Sequence, residues 1–186
     1  MTTEQRFKLA LKEMMQTKQL SDINVTTLCD KLHLHRQTFY YHFQDIYDLL
    51  ASIFLNEDVP GLINCNEIKE ILECLLEYSK RNFDFLRSTY QSAGSDLVND
   101  FFYNKIITRM ITVYSPHESG IGLTKAAYRN VARRFAASVS QEFSFAFKSQ
   151  GITVQKLETF LKKYINSATL ILYPAIISMV KEEKRR

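Results

Sequence analysis

Residues 23–50 read INVTTLCDKLHLHRQTFYYHFQDIYDLL. Two short helical segments are legible in them, Thr26 to Lys31 and His35 to Phe43, separated by Leu32-His33-Leu34. Thr26 stands where an N-cap belongs. Leu28 and Leu32 are one turn apart on the first segment, and Phe39 and Phe43 on the second. Turning about 100° per residue, a helix that buries Phe39 and Phe43 points Gln37 and Tyr41 away from the core. Thr38 and His42 then flank that outward line on one side, Arg36 and Tyr40 on the other. Such a face is built from groups that bond phosphates and base edges. No acid falls between Lys31 and Asp45, so the face is locally non-negative, as a DNA-facing surface must be. Two short helices with a three-residue joint, inside a larger helical unit, are helix-turn-helix grammar.

Working outward, nearly every segment keeps helical spacing. Residues 4–16 carry Phe7, Ala10, Leu11, Met14 and Met15 as an apolar stripe. A turn at Leu20-Ser21-Asp22 follows, and Tyr47 to Glu57 is another helix, ended by Val59-Pro60-Gly61. Beyond that break the helices lengthen. One is expected from Glu67 to about Ser88, and another to about Tyr114 with Ser95 as its cap. A third runs from Leu123 to Gln150 after the loop SPHESGIG, and the last starts at Thr153 and is stopped or kinked by Pro174 near Tyr173. Period-2 alternation and repeats are missing from the sequence, so the fold class expected is all-α: a three-helix helix-turn-helix domain in residues 1–50 and a helical domain in residues 51–186.

Composition narrows the function. The 186 residues are 46% apolar and 24% charged, ordinary globular values, with a net charge of +4. The opening residues mix acids and bases through their apolar positions, unlike a signal peptide, and the uncharged stretch from Ala168 to Val180 is too short to cross a bilayer. A cytoplasmic protein without membrane contact is expected. No GxSxG, P-loop, HExxH or dinucleotide fingerprint occurs, so an enzyme is not expected, nor a cofactor. Cys29, Cys65 and Cys74 form no CxxC pair and read as buried small apolar side chains. His35 and His42 are two turns apart, too far for one ion, so no metal site is expected; His117 and Glu118, with Cys65 or Cys74, form a weaker zinc-sensing alternative without ligand spacing.

The stretch Thr38-Phe39-Tyr40-Tyr41-His42-Phe43, with Ile23-x-Val25-Thr26 leading into the preceding helix, resembles the TetR family of bacterial transcriptional regulators. The likeness covers about the first 50 residues; the rest matches in size and helical layout. It implies a DNA-binding head on a body that dimerises and receives a signal. By position, Arg36 and Gln37 would read base edges, while Thr38, Tyr40 and Tyr41 would grip phosphate or sugar. His42 would sit near the groove, and Thr26 and Thr27 would hold the backbone. His35 and Tyr47, at the starts of the recognition helix and the next one, complete the expected contact set. Four positions depart from the family pattern. His33 replaces the turn glycine and would need a positive φ at some cost, or a rearranged turn. His35 replaces the small residue opening the recognition helix, Gln37 a glycine, and Ile46 a lysine that contacts phosphate. Residues 1–50 carry six Lys/Arg and six Asp/Glu, so modest nonspecific affinity is expected.

Residues 51–186 hold 17 of the 23 aromatics. Phe83, Tyr90, Phe101, Phe102, Phe143 and Phe147 are the candidates for an apolar effector pocket, with ordinary core packing as the alternative. On the long helix, Phe135, Val139, Phe143 and Phe147 form a bulky row beside the small residues Ala132, Ala136, Ser140 and Ser144. Ala132, Phe135, Ala136, Val139 and Ser140, with Leu161 and Ile165 of the last helix, are the expected homodimer contact; packing within one subunit is the alternative. The function expected is a ligand-responsive repressor binding a palindromic operator as a homodimer. An activator controlled by a partner protein, and a helical adaptor without DNA binding, are the alternatives.

Overall fold

The computed structural model describes residues 1–115 and 120–183, and among them every regular element is helical. In order they are α1 (Thr3–Met14), a 3₁₀ turn (Leu20–Asp22), α2 (Val25–Leu32), α3 (Arg36–His42), α4 (Ile46–Asn56), a 3₁₀ turn (Leu62–Asn64), α5 (Ile68–Arg81) and α6 (Phe83–Tyr90). Then follow α7 (Ser95–Val113), α8 (Lys125–Lys148), α9 (Val154–Ser167), a π-helical stretch (Ala168–Leu172) and α10 (Tyr173–Glu183). The all-α expectation is met. His117 and Glu118 lie outside the described residues.

Two compact units arise, and they interleave along the chain. One comprises Met1–Asp58 and Asn82–Val98; the other comprises Val59–Arg81 and Asn99–Arg186. Compactness therefore groups residues differently from a cut at residue 50. α4 is continuous to Asn56, and α6 returns to the first unit, where Phe85 stacks on Phe54 at 5.4 Å. Lys12 ties the same corner, 2.7 Å from Glu57 and with its ammonium 5.2 Å from the centre of the Phe85 ring.

The first unit is organised around Phe7 of α1, which is fully buried. Its ring meets Phe39 edge-on at 5.3 Å and Phe43 at 6.2 Å, both rings of α3 and its cap. Edge-to-face aromatic pairs of this kind add roughly 1 kcal/mol beyond their buried area. Thr2 and Gln5 form a capping box that starts α1.

In the second unit α5 packs on α9, and α8 on α9 and α10. Lys80 of α5 is 2.9 Å from Glu158 of α9. Phe135, Val139, Phe143 and Phe147 of α8 are completely buried, as are Leu157 and Leu161 of α9.

Helix boundaries depart from expectation in four places. α2 is capped by Asn24 rather than Thr26: Asn24 Oδ1 accepts the Thr27 N–H at 2.9 Å, and the Thr27 hydroxyl donates to the Asn24 carbonyl at 2.9 Å. The helix expected from Glu67 to Ser88 breaks at Asn82, whose φ of −110° and ψ of 26° separate α5 from α6. α7 starts at Ser95 itself. Pro174 neither stops nor ends its helix. It lies in the first turn of α10, where a missing N–H costs little, and the preceding π stretch absorbs the change of register.

Candidate nucleic-acid interface

Three local devices aim α3. The first is its own amphipathicity, which drives Phe39 to complete burial while Tyr41 is left 85% exposed. The second is the joint after α2. His33 adopts φ 54° and ψ 45°, left-handed backbone, and the Leu34 N–H reaches back to the Cys29 carbonyl at 3.0 Å. That six-to-one bond is the Schellman closure usually made by glycine. The third is Arg6, whose guanidinium donates to the Leu32 carbonyl at 3.1 Å and so pins the end of α2 to α1. Lys31 of α2 is also 3.1 Å from Glu13 of α1.

His33 is an exposed, non-glycine residue in left-handed backbone, which L side chains enter at a cost of about 1 kcal/mol. His33→Gly is therefore expected to raise the urea midpoint of the chain, by roughly 1 kcal/mol of stability. An unchanged or lowered midpoint would mean that the imidazole makes a compensating interaction.

The face expected to meet DNA is open. His35, Arg36, Gln37, Tyr40, Tyr41 and His42 are exposed, as are Thr26 and Tyr47, while Thr27 and Thr38 are half-buried. The Tyr41 and His42 rings meet edge-on at 5.1 Å. Thr27 differs from the rest because its hydroxyl is occupied in the α2 cap.

Acids bound this face. Asp45 caps α4, accepting the Asp48 N–H at 2.8 Å, and Asp48 accepts the Gln44 N–H at 2.9 Å. The positive end of α4 is thus satisfied by carboxylates of this chain rather than left for a phosphate. On α1, the Lys8 ammonium bonded to Glu4 holds that carboxyl below the usual range, and nearby His42 adds to the effect. Burial pushes the Cys29 thiol up, under the start of α3.

The residues named for an effector pocket are all buried, but they are distributed over both units. Phe83 and Tyr90 belong to the first; Phe101, Phe102, Phe143 and Phe147 to the second. Within the second, Phe102 meets Phe143 at 4.7 Å and Phe101 at 5.3 Å, and Tyr78 meets Phe101 at 5.5 Å. Tyr78, Phe101, Phe102 and Phe143 thus form one aromatic cluster.

Ala132, Phe135, Ala136, Val139, Ser140, Leu161 and Ile165, expected at a homodimer contact, are buried within the single chain, which favours the alternative of packing within one subunit. Bare apolar side chains of the second unit lie elsewhere, at Ile63 and at Phe145, Phe160, Leu170, Ile171 and Met179. Phe145 is two residues from both Phe143 and Phe147 and therefore faces the opposite side of α8; its ring meets Phe160 of α9 at 6.0 Å. The displacement of Phe145 from the i,i+4 row was the available signal.

Among the described residues no group of His, Cys, Asp and Glu has the arrangement to hold a metal ion, and no helix is long and apolar enough to cross a membrane.

A helix-turn-helix followed by longer helices makes an all-helical fold among the described residues. Among solved structures the chain is similar to the dihydroxyacetone kinase operon activator DhaS, with a TM-score of 0.64 and 23% sequence identity over 91% of this chain and 97% of that one. No family model and no curated protein matches.

Proposed function

We propose that this chain is a sequence-specific DNA-binding transcriptional regulator that acts as a homodimer on palindromic double-stranded DNA. Residues 1–50 form the head, and residues 51–186 dimerise and receive the signal. The observation that carries this reading is the outward side of α3: a buried phenylalanine pair holds a seven-residue helix whose exposed residues are Arg, Gln, Tyr, Tyr and His. Solubility alone does not require that set.

In this reading Arg36 and Gln37 meet base edges from the start of α3, and His35 and His42 border the groove at its two ends. Thr38, Tyr40, Tyr41 and Tyr47 contact phosphate and sugar. With the Thr27 hydroxyl closing its own cap, Thr26 carries the backbone contact from α2. Two copies place their recognition helices in successive major grooves, about 34–36 Å apart. A signal received by the body changes DNA affinity by binding one of two states better than the other.

The test is a fluorescence titration against an operator found by selection from random duplexes. Gln37→Ala and Tyr41→Ala are each expected to weaken specific binding by about 1–3 kcal/mol. Unchanged affinity in both would remove the reading face, and binding indifferent to salt and to operator competition would favour a helical adaptor. Because the head balances six bases with six acids, the salt dependence of nonspecific binding is expected to be shallow. A slope equivalent to ten or more released ions would contradict it.

Repression in response to a small molecule is one form of this function. Activation under a partner protein is the second, and two observations favour it. Phe101, Phe102 and Phe143, three of the rings proposed to line a pocket, pack on each other, and the similar DhaS structure is named as an operon activator. A reporter placed behind the selected operator, read with and without the regulator, gives the sign.

A further inference from the structure

The segment from Val59 to α5 brings two cysteines together. Gly61, in left-handed backbone at φ 86°, turns the chain so that the carbonyls of Pro60 and Gly61 face two thiols. Cys74 Sγ donates to the Pro60 carbonyl at 3.4 Å, and Cys65 Sγ donates to the Gly61 carbonyl at 3.5 Å. The two thiols thus bond neighbouring carbonyls of the same turn. A β-carbon added to Gly61 would stand 3.9 Å from Cys74 Sγ, so the second thiol lies close beside the turn.

This pairing is held from outside. Arg109 of α7 donates from Nε to the Cys65 carbonyl at 2.7 Å and from Nη2 to Asn66 Oδ1 at 3.2 Å. Glu70 of α5 accepts the Asn66 and Glu67 N–H groups at 2.8 and 3.2 Å. The strand of chain carrying Cys65 is therefore fixed against α5, which carries Cys74. Both thiols are half-buried, whereas Cys29 is buried and remote in sequence.

The geometry points to Cys65 and Cys74 as a dithiol modification site that a peroxide converts to an intrachain disulfide, a redox input independent of the DNA-binding reading. Cys65 is the attacking sulfur. Burial, and then the neighbouring Cys65, push the Cys74 thiol up to about 11, so near neutrality Cys74 is held protonated and serves as the resolving thiol. In the first step the Cys65 thiolate attacks one peroxide oxygen. The O–O bond breaks, the Cys65 sulfur becomes a sulfenic acid, and the departing hydroxide takes a proton to leave as water. In the second step the Cys74 sulfur attacks the Cys65 sulfur. The S–O bond breaks and the hydroxide leaves as water with the Cys74 proton. Two thiols and one hydrogen peroxide thus give one disulfide and two waters.

Trypsin separates the two residues, because it cuts after Lys69. Cys65 leaves on Gln37–Lys69 and Cys74 on Glu70–Lys80. The full chain, reduced, desalted and treated with hydrogen peroxide, is then alkylated, digested and weighed without reductant. The expected product is these two peptides joined with the loss of two hydrogens, separated again by a thiol reductant, with Cys29 recovered unoxidised. Linkage should be faster in the folded chain than in urea by roughly tenfold or more, since the fold pre-positions the sulfurs. In Cys74→Ser the linked pair should vanish and dimedone should trap a sulfenic acid at Cys65. Unlinked peptides carrying a Cys65 sulfinic acid in the unsubstituted chain would overturn the assignment. So would linkage found only between two chains, or linkage equally fast in urea.

Discussion

Phe39→Ala is expected to destabilise the first unit by about 3–5 kcal/mol, the range for removing a fully buried phenylalanine. That is a large part of the 5–15 kcal/mol or so by which an ordinary domain is folded. The reason lies in what surrounds the ring. Phe39 is fully buried, meets Phe7 edge-on at 5.3 Å, and meets Phe43 at 5.6 Å. α3 has seven residues and no side-chain cap at His35. A helix that short has no stability of its own in water, so the phenylalanine contacts are what hold it. Urea unfolding followed by circular dichroism should show a lowered midpoint, and specific DNA binding should be lost with it. Phe39→Leu keeps most of the volume and should cost less than half as much, with binding largely retained. A Phe39→Ala variant within 1 kcal/mol or so of the parent would mean that α3 is held by something other than this aromatic cluster.

The same cluster explains why this part of the molecule was legible in the sequence. Phe39 and Phe43 at i,i+4, with no alternative apolar side on so short a helix, leave one orientation that buries them. Gln37 and Tyr41 then have to face out, and they do. At His33 the expectation came from the resemblance, in which the residue takes the turn glycine's place, and the left-handed backbone is indeed there.

Where sequence reasoning went astray, two or more solutions had equal local merit. Asn24 and Thr26 are both capping types, and the choice fell to the one whose partner three residues on, Thr27, can return the bond. Asn82 has no breaker on either side, so nothing local announced the division of α5 from α6. On α8 the apolar residues occupy more than one side. Spacing groups Phe135, Val139 and Phe143 into a row, but it does not say whether that row faces its own chain or another. Packing of α8 against α9 and α10 buries that row, and those elements are distant in sequence. The grouping of α6 with the first unit is likewise a tertiary result, made by Phe85 on Phe54.

Because the two sides of α8 have different surroundings, they should respond oppositely to substitution, and this gives the sharpest test of the homodimer. Phe145 is 64% exposed in the single chain, Leu170 77% and Ile171 70%. An apolar area of this kind is where a second copy is expected to seat. Phe145→Asp places a charge at that contact twice, once from each copy, while leaving the chain's own core untouched. The chain should remain helical, with its urea midpoint little changed, and should sediment as a monomer at micromolar concentration. Operator affinity should then fall by roughly 10²–10⁴-fold, because the second head no longer binds at the effective concentration set by the first. Val139→Ala is the counterpart: Val139 is fully buried, so the variant should lose about 1–3 kcal/mol of stability and keep its assembly state. Sedimentation of both variants separates the readings. If Phe145→Asp stays dimeric, the second copy docks elsewhere; if it alone is monomeric yet binds operator undiminished, the two heads do not act together and the palindromic mode is wrong.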